Sequence, residues 1–417
     1  MRAEFRPDEA MVTARPQELV VIGAGVVGMA TALTLSDRGH RVTVVDKADE
    51  PGRGTSFANG AQLSYSYTDA LASPATLAQF PQMLLARDPA FRFHSSLDPD
   101  FLRWMLAFVR NGSANRFRRN TLAGLALAVR SRGALHALAR RHRIEFAHGT
   151  PGKIILYRSA KSFAAARAIA ADKGVAGAEQ SFLDADGAVA VEPMLALIRH
   201  GIVGAIHTAS EEVGDPYRFC TGVQAALVAG GAEVRCGVAI DRIDADGKRP
   251  TIVLNDGSRL GADRIILCAG LESASLARTL GARLPIVPMK GYSITAAPGR
   301  AAPRVSITDA ANRVVFARLA DRMRIAGLAD LGRRDTGVEP DRLAALVGSA
   351  RAALPDAADY DAIESSWAGL RPMTPDSLPI MRTIAPGVIA NTGHGALGWT
   401  YAAGSAERVA AIVEEEG

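Results

Sequence analysis

Residues 19–46 constrain this chain more than any other stretch. The apolar run Leu19-Val20-Val21-Ile22 suits a strand buried on both faces of a parallel sheet. Gly23-Ala24-Gly25-Val26-Val27-Gly28 follows, a G-x-G-x-x-G pattern placed where that strand turns into a helix. Each glycine has its own steric reason: Gly23 permits the tight turn, Gly25 lets backbone approach a pyrophosphate, and Gly28 lets the helix pack on the strand. Free N–H groups and the positive dipole at the helix start favour phosphate. The helix runs through Met29, Ala30, Leu33 and Leu35 and is expected to stop at Gly39. A strand over residues 41–45 then leads to Asp46, about 20 positions beyond the glycines, where an acid grips a ribose hydroxyl pair. Glycines alone are a weak signal. Strand, glycines, helix, strand and acid in register specify a dinucleotide-binding unit.

A chain of 417 residues exceeds one ordinary core, so two domains are expected. With 48% hydrophobic and 22% charged residues it is globular rather than disordered. The net charge of +5 suits anionic ligands or membrane surfaces as well as a solvated arginine-rich surface, and no nucleic-acid-binding motif accompanies it. Cys220, Cys236 and Cys268 are odd in number and widely spaced, which argues for reduced thiols in a cytoplasmic compartment and against a disulfide framework or a zinc site; no metal is expected. Residues 1–16 have charges and prolines but no apolar core of a secretory signal, and read as a flexible extension. No apolar run approaches the ~18 residues that span a bilayer.

Further along, Thr55-Ser56-Phe57-Ala58-Asn59-Gly60-Ala61-Gln62 places small hydroxyl and amide side chains beside glycine, which suits backbone passing close to a ligand. Residues 71–111 are rich in aromatics (Phe80, Phe91, Phe93, Phe101, Trp104, Phe108) punctuated by Arg92, Arg103 and Arg110; such helices dock on lipid or pack against their own domain. A helix over 114–142 is expected to bury Leu122, Leu125 and Val129 on one face. Residues 153–157 read as a strand, 159–171 as a helix, 184–193 as a turn before a short helix, and Asp215-Pro216 as the cap of a helix over 217–229. Asn255-Asp256-Gly257 is a hairpin turn, and residues 263–270 form another buried strand ending in small residues. Alternation at 285–295, 314–319 and 322–326 predicts an antiparallel sheet in a second domain, followed by a helix over 340–353 and a proline-rich loop over 367–376. The last strand, 388–391, leads into Gly393-His394-Gly395-Ala396-Leu397-Gly398-Trp399-Thr400 and a final helix. This second glycine pattern has no strand and acid after it, so one dinucleotide is expected, not two.

With these residues in view, the sequence resembles the family of D-amino acid oxidase, glycine oxidase and sarcosine oxidase, and within it the bacterial D-amino acid dehydrogenase small subunits. The likeness is strongest in residues 20–28, 55–64, Pro288-Met289-Lys290-Gly291-Tyr292-Ser293, 369–376 and 391–400. It implies an α/β fold: a Rossmann-like FAD-binding domain (17–90, 180–275 and 360–417) and a substrate domain with a mostly antiparallel sheet (91–179 and 276–359). FAD would be extended, with Gly23, Ala24, Gly25, Val27, Gly28, Asp46 and Lys47 on its ADP half, Val238 near the adenine, and Cys268, Ala269 and Gly270 along the pyrophosphate. Thr55, Ser56, Asn59, Gly60, Gln62 and Leu63 would follow the ribityl chain and flavin. Met373, Gly393, His394, Gly395, Leu397, Gly398, Trp399 and Thr400 would lie at the pyrimidine end, where helix-start N–H groups stabilise negative charge. The arginine of the family's Gly-Leu-Arg-Pro segment, which pairs with the substrate carboxylate, is Arg371 here. Tyr292 would close the pocket or serve structure, and His394 would touch flavin or cap the last helix.

The implied reaction is oxidation of a D-amino acid, hydride passing from Cα to flavin N5, with hydrolysis to a 2-oxo acid and ammonia. Electrons would go to a quinone-type acceptor, from a cytoplasmic protein peripheral to the inner face of a bacterial inner membrane. The alternatives are a D-proline, D-hydroxyproline or other secondary-amine dehydrogenase or oxidase, or a flavin-binding electron carrier. The usual Ala-Gly order after Asn59 is reversed here as Gly60-Ala61, close to the expected flavin position.

Overall fold

The computed structural model describes residues 15–84, 90–245, 247 and 249–416. The extension expected over 1–16 lies almost wholly outside the described residues. Two large sheets organise the rest.

The first has six strands in the order Ile380–Ala385, Val388–Thr392, Arg264–Leu267, Glu18–Ile22, Arg41–Val45, Glu233–Arg235. All neighbours are parallel except the edge pair Ile380–Ala385 and Val388–Thr392. Its strands are apolar without alternation because both faces are covered: Leu19 and Val21 face one core, Val20 and Ile22 the other. The helix Val26–Asp37 is buried nearly all round, with Met29, Leu33 and Leu35 at 1% exposure or less, so its sequence shows no polar stripe. It packs beside the helices Pro216–Ala229 and Gly398–Glu415. Asp215 caps the former, its carboxylate accepting from the N–H groups of Tyr217 and Arg218 at 2.9 and 3.2 Å.

The second sheet has nine strands, mostly antiparallel, in the order Ala358–Met373, Val287–Pro298, Arg322–Leu331, Val314–Leu319, Ser306–Asp309, Lys153–Tyr157, Gly204–Thr208, Ser181–Leu183, with Phe91–Phe93 joined to Arg322–Leu331. The helix Pro340–Ala353 closes its core through Leu346 and Ala350 against Ile294, Phe316 and Ile325. Three of its strands, Ser181–Leu183, Gly204–Thr208 and most of Ala358–Met373, fall in the segments that sequence assigns to the nucleotide-binding half; strand pairing moves them to the other sheet.

Three local expectations are corrected. Residues 367–373 are strand rather than loop, pairing Arg371 with Met289. Ala358–Met373 is an edge strand, so Pro372 removes no ladder bond that a second neighbour would need. Residues 185–191, expected as a turn, form a helix of about two turns, and the short helix expected after them is the 3-10 helix Pro193–Gly201. The helix Ala114–His142 buries Leu125 but exposes Val129, because its inner face is made of small residues that admit the last helix. Gly404 meets Ser131 there, its N–H donating to the hydroxyl at 3.0 Å, and a Cβ on Gly404 would stand 2.9 Å from the Leu127 carbonyl oxygen.

Candidate active site

One cavity of about 1580 Å³ runs from the glycine turn of the first sheet to the exposed end of the second. Single small ligands occupy roughly 300–1,000 Å³, so this space suits an extended dinucleotide with a further small molecule. At one end the glycine turn is packed to the limit. Gly23 has φ +106°, and a Cβ there would lie 2.6 Å from the Cys268 carbonyl oxygen; a Cβ on Gly28 would lie 1.7 Å from the Gly23 oxygen. A Cβ on Gly25 would fill the cavity wall 3.2 Å from the Ser56 hydroxyl, which accepts from the Val26 N–H at 3.1 Å. The Asp46 carboxylate accepts from the Ala24 and Ala48 N–H groups at 2.5 and 2.8 Å, and is thereby fixed at the cavity edge with lone pairs to spare for hydroxyl donors.

At the other end lies Arg371. Its guanidinium is desolvated, which lowers its pKa, and Nη1 donates to the Leu328 carbonyl oxygen at 3.2 Å. Among the described residues no carboxylate bonds it. Gly291 on the neighbouring strand, two residues beyond Met289, the register partner of Arg371, makes the room, since a Cβ there would be 2.3 Å from Nη2.

A family model described as FAD dependent oxidoreductase (DAO) matches residues 18–412. The chain belongs to this family. FAD is accordingly its cofactor, and the bare glycine cradle, the fixed Asp46 carboxylate and the length of the cavity fit that molecule. The chain is 40% identical over 408 residues to D-amino acid dehydrogenase 2 of Ralstonia nicotianae, covering 95% of this chain and 96% of the relative. It is 38% identical to D-amino acid dehydrogenase of Paramagnetospirillum magneticum, covering 95% and 94%. Among solved structures it resembles glycine oxidase from Geobacillus kaustophilus (TM-score 0.77, 20% identity, 96% and 95% covered) and L-proline dehydrogenase from P. horikoshii (TM-score 0.74, 16% identity, 96% and 94% covered), which shows the shared fold.

Most residues that sequence assigns to FAD line the cavity of this oxidoreductase: Gly23, Gly25, Val27, Asp46, Lys47, Thr55, Ser56, Asn59, Gly60, Gln62, Val238, Cys268, Ala269, Gly270, Gly393, His394, Gly395, Leu397, Gly398 and Trp399. Five others stand behind its wall. Ala24 gives its N–H to Asp46, Gly28 packs on Gly23, and Leu63 belongs to the core. The Met373 carbonyl accepts from Trp104 Nε1 at 2.9 Å, and the Thr400 hydroxyl accepts from the Ser64 N–H at 3.0 Å. Lys47 is paired with Glu272 across the cavity mouth.

The Tyr292 ring lines the cavity, but its hydroxyl donates to Asp330 Oδ2 at 2.7 Å; Asp330 Oδ1 in turn receives Arg342 at 2.5 Å. That anchorage makes Tyr292 a fixed wall rather than a moving cover. The His394 imidazole does not cap the last helix. Its Nε2 meets the Ser405 hydroxyl at 3.0 Å, and burial pulls its pKa down to about 3, so the ring is neutral.

Lys153 is a cavity residue that sequence reading does not single out. It is 2% exposed, its Nζ donates to the Ser64 hydroxyl at 2.9 Å and sits 4.4 Å above the Tyr67 ring, and desolvation pulls its pKa down to about 8. The available signal is a lysine opening the otherwise apolar run Ile154-Ile155-Leu156-Tyr157. The Leu328 carbonyl was not foreseeable, because its role depends on strand register.

Proposed function

We propose that this oxidoreductase oxidises D-amino acids at Cα to imino acids, which hydrolyse to 2-oxo acids and ammonia, and delivers the electrons to a quinone-type acceptor. The carrying observation is Arg371, a half-buried guanidinium lining the cavity and bonded to a carbonyl rather than a carboxylate. Its planar fork matches an amino acid carboxylate in two bonds, and an electron carrier would have no use for it. The relatives, D-amino acid dehydrogenases by name, support the D configuration.

Bound FAD supplies the two-electron redox chemistry. The chain supplies placement: Arg371 takes the carboxylate, the Leu328 carbonyl holds the fork, and the Tyr292 ring bounds the space beside it. Fixing the substrate in this way presents Cα in one orientation, which is where most of the acceleration originates. With the charge of Arg371 taken up by the carboxylate, the buried Lys153 in the same cavity also favours the neutral over the protonated amine, the form that can lose hydride.

The acceptor and membrane reading draws on the helix Pro99–Asn111. Phe101, Trp104 and Phe108 pack inward, while Leu102, Leu106 and Val109 form an exposed stripe beside Arg103 and Arg110, with Leu97 91% exposed just before it. Apolar residues with basic neighbours suit the surface of an anionic bilayer, where a quinone resides. Among the described residues no helix is long and apolar enough to cross a membrane.

Substituting Arg371→Ala tests the reading. Losing one partner of a buried charge pair costs on the order of 2–5 kcal/mol, so KM for the D-amino acid rises roughly 100-fold while FAD stays bound. An unchanged KM in a flavin-loaded variant places the anchor elsewhere and removes the main support for amino acid oxidation.

A further inference from the structure

Sequence spacing gives no sign of a metal site, because the residues that would form one are far apart along the chain. The fold brings three of them together away from the FAD cavity. Glu212 lies in the short strand Glu212–Val213, His136 in the helix Ala114–His142, and His148 in the segment between that helix and Lys153–Tyr157. Nε2 of His136 and Nε2 of His148 stand 3.0 and 2.9 Å from the same oxygen, Glu212 Oε2, and the three donor atoms all lie within 4.8 Å of one another.

We infer that His136, His148 and Glu212 form a binding site for one late first-row divalent metal ion, of which zinc is the type. Four features carry this. The donor set is two imidazoles and a carboxylate, a chemistry that suits zinc and its neighbours and not magnesium. The spacing is within reach of a coordination shell: bonds of ~2.0–2.1 Å put tetrahedral ligands ~3.3 Å apart, the two imidazole–carboxylate contacts lie a few tenths of an ångström inside that figure, and the two imidazole nitrogens stand within 4.8 Å of each other. The carboxylate is wholly buried and turns one oxygen, Oε2, to both imidazoles. The imidazoles, 27% and 31% exposed, leave a path for the ion and a place for solvent as fourth ligand.

The outer partners are also in place. Arg132 Nε donates to Glu212 Oε1 at 2.9 Å, leaving Oε2 to face the imidazoles, and the Tyr65 hydroxyl donates to Oε2 at 3.1 Å. Groups of this kind orient a ligating carboxylate. Binding uses the Nε2 lone pairs, with each ring proton carried on Nδ1, so the two hydrogen bonds to Glu212 are exchanged for metal bonds. The ion would tie the helix, the 143–149 segment and the strand together. Glu212 pairs directly with Leu63, next to the cavity-lining Gln62, so the tie lies one residue pair from the cavity wall.

The test uses the FAD-loaded protein, stripped with a chelator and then titrated with zinc chloride or magnesium chloride. Zinc is expected to raise Tm and to remain at one ion per chain after dialysis; magnesium is expected to do neither. In the His136→Ala/His148→Ala double variant, checked for retained flavin absorbance, the retained zinc and the Tm shift disappear. In His148→Gln, the milder change, zinc affinity falls at least tenfold. Wild-type protein that neither retains zinc nor shifts its Tm overturns the site, as does a flavin-loaded variant that behaves like wild type.

Discussion

At the scale of single residues, the substrate end depends on a reciprocal fit between Gly291 and Arg371. The glycine is not there for a turn; it leaves space for a guanidinium that would otherwise collide with a Cβ at 2.3 Å. Substituting Gly291→Ala therefore pushes the fork off its line, and displacement on the order of 1 Å can cost about 100-fold in kcat/KM. Steady-state kinetics on the flavin-loaded variant checks this, with Tm as the control for folding. That Arg371, Gly23, Gly25 and Asp46 line one cavity was legible in sequence, the arginine through the Gly-Leu-Arg-Pro segment and the others through their spacing, because each signal lies within a short piece of chain. Lys153 and the Leu328 carbonyl were not legible, because burial and strand register give them their roles. The reversed Gly60-Ala61 order has a visible consequence: Ala61 carries φ +57°, a conformation that favours glycine, while a Cβ at Gly60 would come within 3.3 Å of Val315.

At the scale of elements, the helix Pro99–Asn111 divides cleanly. One side belongs to a core with Phe91, Val287 and Leu331; the other presents Leu102, Leu106 and Val109 to solvent. Burying a leucine side chain stabilises by about 1.5–3 kcal/mol, so the Leu102→Asp/Leu106→Asp variant is expected to lose most of its co-sedimentation with anionic vesicles while keeping its flavin. Equal sedimentation of variant and wild type rules this face out as the contact. Sequence periodicity marked residues 71–111 as helical and aromatic without bounding this helix, placed strands such as 19–22, 41–45, 153–157, 314–319 and 388–391, and misread residues 367–373 as loop because prolines and glycines cluster there. An edge position reconciles those residues with a strand, and edge or centre is decided only when the sheet assembles. For the same reason the boundaries expected at 180 and 360 leave three strands of the second sheet in the segments assigned to the nucleotide-binding half: a strand's composition does not say which sheet it will join.

At the scale of the whole molecule, the cavity exists because the two sheets face each other across it, the first giving the glycine turn and the second giving Arg371 and Tyr292. The last helix and the Ser64–Thr400 contact help close the first half, and this region sets an acid limit on stability. His394 is neutral in the folded protein down to about 3, whereas the unfolded chain takes up its proton near 6.5. Its folded pKa is depressed, so the stability is full above 6.5 and is lost as pH falls from there toward 3. Glu212, ordinarily near 4.5 and held at about 2, adds a loss of the same sign in the lower part of that range. Tm measured from pH 7 to pH 4 should fall, and fall less steeply in His394→Gln. The central claim is that one cavity presents a D-amino acid to FAD. It is tested most directly by mixing the yellow protein anaerobically with D-alanine and, separately, with L-alanine. D-Alanine is predicted to bleach the absorbance and L-alanine to leave it; bleaching by L-alanine alone, or by neither, contradicts the account.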